Sequence, residues 1–213
     1  MGLPVEVART AAAAGSGAQL VGRVGDDPTG DAALLDLAAA GVGHVALLRT
    51  PGARTPVEPL PESPTPSAVD EPAADLTTGL EADDERSPRQ APSREVGLAI
   101  DADDLDLALR YLPDYRVLVI ATDLDDPAWR VVADAAGWSG AAIVALVPPD
   151  AQQTTIPDAA TVLERPGGTN DTDAEAAFAG VVGRYAAGLD GGSDPREAFA
   201  AATAAQGWAP VEG

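Results

Sequence analysis

Most residues of this sequence that could do chemistry are carboxylates, and each group also has a structural explanation. The adjacent Asp26 and Asp27 could bind a metal ion, but neighbouring side chains diverge and Asp27 stands where a helix N-cap is expected. The acidic run 123–126 has as high a density of carboxylates as a calcium-binding loop. An apolar residue within the run and a proline after it, however, break the spacing that such a loop requires. We therefore predict no metal site.

The other candidates are a histidine and a glycine-rich loop. His44 is the only histidine, begins a short apolar run and has no serine or cysteine partner close to it in the sequence, which favours a structural role. The loop 191–193, Gly-Gly-Ser before a helix, could bind an anion, but its composition is typical of linkers. The three tryptophans, Trp129, Trp138 and Trp208, are expected to pack against helices.

The composition excludes several classes of partner. The chain of 213 residues has a formal net charge of -21, and all its basic residues are arginines. Such a charge repels phosphates, so neither nucleic acid nor an anionic membrane is expected as a partner. Cysteine is absent, which excludes disulfides and thiolate metal sites. No apolar run approaches a membrane span and no signal pattern is present, so we expect a cytoplasmic protein.

The elements that would position any site are clearest between residues 19 and 42. A strand-like apolar run ends at Gly25, and a tight turn leads to Asp27 as N-cap with Pro28 at the first helical position. Gly41 ends the helix, as a glycine after a C-cap does. A second strand over 44–49 completes a βαβ unit, which predicts a parallel sheet.

The rest of the chain alternates in the same way, apart from one interval. Residues 50–95 are rich in proline, acid, serine and threonine without a hydrophobic period, which predicts a disordered acidic insertion. Order returns at 96, and strands 116–121 and 141–147 are expected to be buried on both faces. The predicted helices are 4–14, 28–40, 101–112, 126–137, 173–189 and 195–206, and a last short strand is 160–163. The pattern predicts an α/β fold.

The N-terminal signature resembles that of the ribokinase/PfkB family of sugar and nucleoside kinases. Its residues are Gly25, Asp26, Asp27 and Gly30, followed by a helix that ends in Ala-Gly-Val. The resemblance implies a ribokinase-like, Rossmann-like fold: a mainly parallel sheet flanked by helices, with the lid missing. It also implies one domain made of residues 1–49 and 96–213. The family's sugar-contacting positions fall on Gly2 and Glu6, where glutamate replaces an asparagine.

The family's decisive motif, at the start of a helix, is degenerate here. Residues 177–180, Ala-Phe-Ala-Gly, match its end, but the position of the catalytic aspartate falls on Ala176. The stretch that would bind phosphates falls on Asp173–Glu175, where two carboxylates oppose an anion. Thr172 and Glu175 have the spacing of a capping box, which gives these residues a structural use. A shifted frame keeps an anion loop at 167–168 and a base at Asp171.

These residues leave three hypotheses open. The first is a PfkB-like carbohydrate kinase fold without catalytic residues, a pseudokinase acting as a binding or regulatory module for a sugar-like small molecule or a homodimer contact. The second is an active ATP-dependent sugar or nucleoside kinase, which would need ATP and magnesium; otherwise no cofactor is expected. The third is a scaffold whose acidic insertion binds a basic protein.

Overall fold

A computed structural model of the protein describes residues 2–56, 98–112, 114–149, 155–167 and 172–207. Six helices and five strands lie in these ranges. The helices are α1 (Leu3–Ala13), α2 (Pro28–Ala39), α3 (Ala102–Tyr111), α4 (Asp126–Ser139), α5 (Thr172–Asp190) and α6 (Pro195–Ala204). The strands are β1 (Gln19–Gly25), β2 (Gly43–Thr50), β3 (Val117–Ile120), β4 (Ala142–Val147) and β5 (Thr161–Glu164). The predicted α/β class is confirmed, and each predicted element is present.

Aspartate is the N-cap residue of four of these helices, α2, α3, α4 and α6. The carboxylates of Asp27 and Asp125 accept from a backbone N–H three residues on, at 2.8 and 2.9 Å, and Asp194 caps α6 in a similar way. At α3, Asp101 and Asp104 form a reciprocal capping box. The cap of α4 is Asp125, and the helix begins at Asp126, as predicted. These caps satisfy backbone donors that a helix start leaves free.

The strands divide into two parallel sheets. One sheet pairs β1 with β2, and the other has the order β3-β4-β5. Helices cover both faces of the larger sheet, because alternate residues of β4 enter two different apolar clusters. Val144 and Leu146 pack with α1, α5 and α6, whereas Ile143 and Ala145 pack with α3 and α4.

Strands β3 and β4 of the larger sheet differ in exposure. Residues Ile143 to Val147 of β4 are all buried, as predicted. All four residues of β3 are only half-buried, although its side chains pack into the clusters on both faces. The expectation of full burial for β3 was therefore wrong. In the described part of the chain β3 pairs along one edge only, with β4.

The tryptophans show the limits of the packing prediction. Trp129 is 3% exposed in the α4 face that packs on the sheet, but Trp138 is 95% exposed. Buried residues of α4 recur at 128, 129, 132 and 136, and 138 is out of phase with them. The expectation for Trp138 was wrong, and Trp208 lies outside the described residues.

Most of the predicted insertion cannot be compared, because residues 57–97 lie outside the described ranges. Its first part, up to Pro56, is described: β2 continues to Thr50, and the segment after it folds back onto β1. Among the described helices, none combines the length and the apolar character that a membrane crossing needs.

Candidate functional site

The Gly25–Gly30 turn connects the carboxyl end of β1 to α2 and holds a later segment of the chain. Asp27 Oδ1 accepts from the Gly30 N–H at 2.8 Å and from the Thr55 hydroxyl at 2.8 Å. Its Oδ2 accepts from the Thr55 N–H at 2.9 Å, and the Thr55 hydroxyl oxygen accepts from the Gly25 N–H at 3.0 Å. One carboxylate thus caps a helix and fixes the chain just after β2.

The two glycines of this turn are required by space. A Cβ on Gly25 would lie 2.6 Å from the Ala53 carbonyl oxygen and the Thr55 nitrogen. A Cβ on Gly30 would lie 2.4 Å from the Gly25 carbonyl oxygen. Both distances are shorter than van der Waals contact, and the obstructing atoms are backbone. The glycines let two backbone segments approach closely, which is a structural role.

Asp26 points elsewhere, so the two adjacent aspartates do not form one ligand set. Its Oδ1 accepts from Arg49 Nη1 at 2.9 Å, and Arg49 also binds Asp31. These side chains are each about half exposed. Across the described residues, no three metal-ligating side chains lie close enough to hold an ion.

We expect Asp27→Ala to lower the melting temperature by about 5 °C, and Asp26→Ala to change it by about 1 °C. The Gly30 N–H, and then the Thr55 hydroxyl and N–H, hold the pKa of the Asp27 carboxyl below its usual value. Unfolding therefore takes up a proton, so the stabilisation by Asp27 is complete above about pH 5 and is lost as the pH falls through its folded pKa. Melting curves from pH 7 to 3 measure this.

Asp27→Asn is the matched variant for that experiment, because an asparagine keeps an acceptor for the cap but does not titrate. Its melting temperature should fall less steeply with acid than that of the unaltered protein. Equal acid slopes for the two proteins would contradict the assignment of Asp27.

The degenerate motif at the start of α5 lies on the surface. Asp173, Glu175 and Ala176 are exposed, whereas Phe178 and Gly180 are buried. The matching end of the motif therefore serves packing, and its non-matching part faces solvent. Thr172 is the first described residue of α5, because residues 168–171 lie outside the described ranges, and its capping box with Glu175 stays a prediction.

The remaining predicted residues lie apart from this turn or outside the described ranges. Gly2 is the N-cap of α1 without a side-chain hydrogen bond, and Glu6 lies in the first turn of α1, where it contacts Arg9 at 3.4 Å. Asp171 and Gly168 are outside the described residues. His44 contacts the Val42 carbonyl at 3.4 Å and borders two shallow depressions beside β2, of about 580 and 400 Å³. Neither depression is lined by α5.

Sequence reasoning missed a half-buried ion pair between β1 and α3. Arg23 Nε and Nη2 donate to the two carboxylate oxygens of Asp104 at 2.6 and 2.7 Å, and the Asp104 residue is 8% exposed. The Arg23 hydrogen bonds lower the pKa of Asp104, and Asp104 in turn raises the pKa of Arg23. Arg23 and Asp104 are 81 positions apart in the sequence, and no local sequence pattern indicates that they pair.

This arrangement of parallel strands and covering helices is the ribokinase-like α/β fold. A protein from E.coli assigned as a ribokinase II, solved in its apo form, superposes with a TM-score of 0.58 at 13% identity, over 96% of this chain and 80% of that one. Two structures of a fructokinase from Xylella fastidiosa, one with bound ATP, match at 17% identity with TM-scores of 0.41 and 0.40. This chain spans 57% and 60% of those fructokinase chains. No protein-family model and no curated protein sequence matches.

Proposed function

We propose that this protein is a non-catalytic binding or regulatory module built on a carbohydrate kinase-like fold. The observation that carries the proposal is Ala176, an exposed methyl group at the position where the ribokinase signature puts its proton acceptor. Alanine cannot accept a hydroxyl proton, so phosphoryl transfer would lack its general base.

The charge at the start of α5 supports the same conclusion. Asp173 and Glu175 are exposed in its first turn. Their negative charge suits the helix dipole but repels the phosphates of a nucleotide. The residues present therefore do not fit a magnesium-bound polyphosphate at this turn.

The N-terminal signature, the turn from Gly25 to Gly30, supports a structural role as well. All the polar contacts of the Asp27 carboxylate described above are made within the protein. Gly25 and Gly30 have backbone atoms against them where a ligand would otherwise approach. Because the chain itself occupies this turn, α1, with Gly2 and Glu6, is the part of the predicted site that could still contact a polyhydroxyl ligand.

We expect magnesium-ATP at 5 mM to shift the melting temperature by about 1 °C or less. A nucleotide bound with a dissociation constant 100-fold below its concentration would stabilise by about 2.7 kcal/mol, which is a shift of about 5–10 °C for a chain of this size. Calorimetric titration with the same nucleotide measures the binding directly. Magnesium alone is the control.

The second measurement is release of ADP across a panel of sugars and nucleosides, and no turnover is expected. Turnover that disappears in Asp171→Ala but persists in Asp173→Ala would establish the alternative, an active kinase with a displaced base. A sugar that raises the melting temperature without ADP release, and does so less in Glu6→Ala, would support the binding module.

A further inference from the structure

The outer surface of α2 and β2 carries exposed apolar side chains on both sides of His44, which we call the His44 patch. Leu35 of α2 is 72% exposed and Val45 of β2 is 74% exposed. Leu35 lines one of the two shallow depressions beside β2, Val45 lines the other, and His44 lines both. Leu34 and Ala38 also line the depression next to α2. An exposed apolar surface that is bordered by polar residues is typical of an interaction site.

A β-bulge in β2 accounts for the exposure of Val45 and limits what can dock beside it. The register between β1 and β2 shifts between Gln19 and Val21, where His44 and Val45 together lie opposite one residue of β1. A bulge takes a side chain out of the regular alternation, bends the strand and interrupts the row of backbone groups that another strand would pair with. The patch therefore suits a helix that lies across it better than an added strand.

The charged residues that border the His44 patch carry an excess of negative charge. Asp31 lines the depression next to α2, and Asp36 follows Leu35 on the same helix and is exposed. The arginine at this depression, Arg49, is already bound to Asp31 and to Asp26. An apolar surface with this border attracts a partner that is both apolar and cationic.

The same charge argues against other residues of this chain as the occupant. Residues 57–97, the longest stretch outside the described ranges, contain ten acidic residues and three arginines. The shorter stretches 150–154, 168–171 and 208–213 each contain one acidic residue and no basic residue. A second copy of the chain would bring a net charge of -21. An acidic border repels each of these, so the charge of the occupant has to come from another protein.

We propose that the His44 patch binds a basic amphipathic helix of another protein. The apolar face of that helix would cover Leu35 and Val45, and its lysines or arginines would lie beside Asp31 and Asp36. No residue of α1 or α5 lines either depression, so this contact is separate from the binding of a sugar or a nucleotide.

The probe is a fluorescein-labelled helical peptide with leucine along one face and lysine on the other, measured by fluorescence anisotropy with the full chain. We expect saturable binding that weakens about tenfold in Leu35→Ser, because the apolar contact is lost. Trp138→Ser is the matched control, since Trp138 is 95% exposed on α4 and lines neither depression. Its affinity should stay within about twofold. The same peptide with glutamate in place of lysine should not bind.

A second measurement asks whether the chain itself covers the patch. The sequence has no cysteine, so Val45→Cys and Trp138→Cys each introduce a single thiol. In the free protein N-ethylmaleimide should react with both thiols at similar rates, because both positions are exposed, and the lysine peptide should protect only the thiol at position 45. A protected thiol at position 45 in the free protein, absence of saturable binding, equal binding of both peptides, or equal losses in Leu35→Ser and Trp138→Ser would overturn the proposal.

Discussion

Replacing Gly183 by alanine is expected to lower the free energy of unfolding by about 3 kcal/mol, and the melting temperature by about 8 °C. Gly183 lies where α5 crosses α1. A Cβ at this position would lie 2.6 Å from the Thr10 Cβ and 2.7 Å from the Val7 carbonyl oxygen. The second atom is backbone, so α1 as a whole would have to move away from α5.

Gly137→Ala in α4 is the matched control for this prediction. A Cβ on Gly137 meets no atom within 4 Å, and its backbone is helical. The same substitution should stabilise the protein there by about 0.5–1 kcal/mol, because alanine is the better helix former. Urea unfolding of both variants measures the two effects. A stabilised Gly183→Ala protein would show that the helices do not cross at this glycine.

Arg23→Ala is expected to cost about 3 kcal/mol, since it leaves the carboxylate of Asp104 with little solvent and no cationic partner. The two side chains are 25% and 11% exposed, so water can compensate only in part. The pair also connects β1 to α3, on either side of residues 57–97. Its loss should therefore reduce the protection of α3 amides in hydrogen exchange as well as the melting temperature.

Arg49→Ala tests whether this effect is specific to the half-buried Arg23–Asp104 pair. Arg49 also binds two carboxylates, those of Asp26 and Asp31, but its side chain is 43% exposed and those of its partners more than half. A change of about 1–2 °C in the melting temperature is expected, because solvent screens such pairs. Equal losses for Arg23→Ala and Arg49→Ala would contradict the role assigned to burial.

The sequence predicted the features of this fold that depend on local chemistry. Aspartate followed by proline marked helix starts at Asp27 and Asp194, and continuous apolar runs marked β3 and β4. These signals reside within a few residues of the chain. The exposed position of Trp138 could have been predicted too, by following the period of the buried residues in α4.

Features that depend on distant pairings could not be predicted in this way. Thr55 is 28 positions from Asp27, and Asp104 is 81 positions from Arg23, and neither pair has a local pattern. The division into two sheets follows from which strand edges meet, and the hydrophobic period does not specify that. For the candidate site, the sequence identified Ala176 but not that the acidic turn beside it faces solvent.

The crossing of α1 and α5 also determines the order in which the chain can become stable. The Ser16 hydroxyl at the end of α1 donates to the Asp190 carboxylate, which follows it by 174 positions. During synthesis, the first helix emerges long before the partner that buries its apolar face. Contacts between such distant segments slow folding and leave that face open to unwanted association. The apolar face of α1 therefore stays uncovered until α5 has been translated.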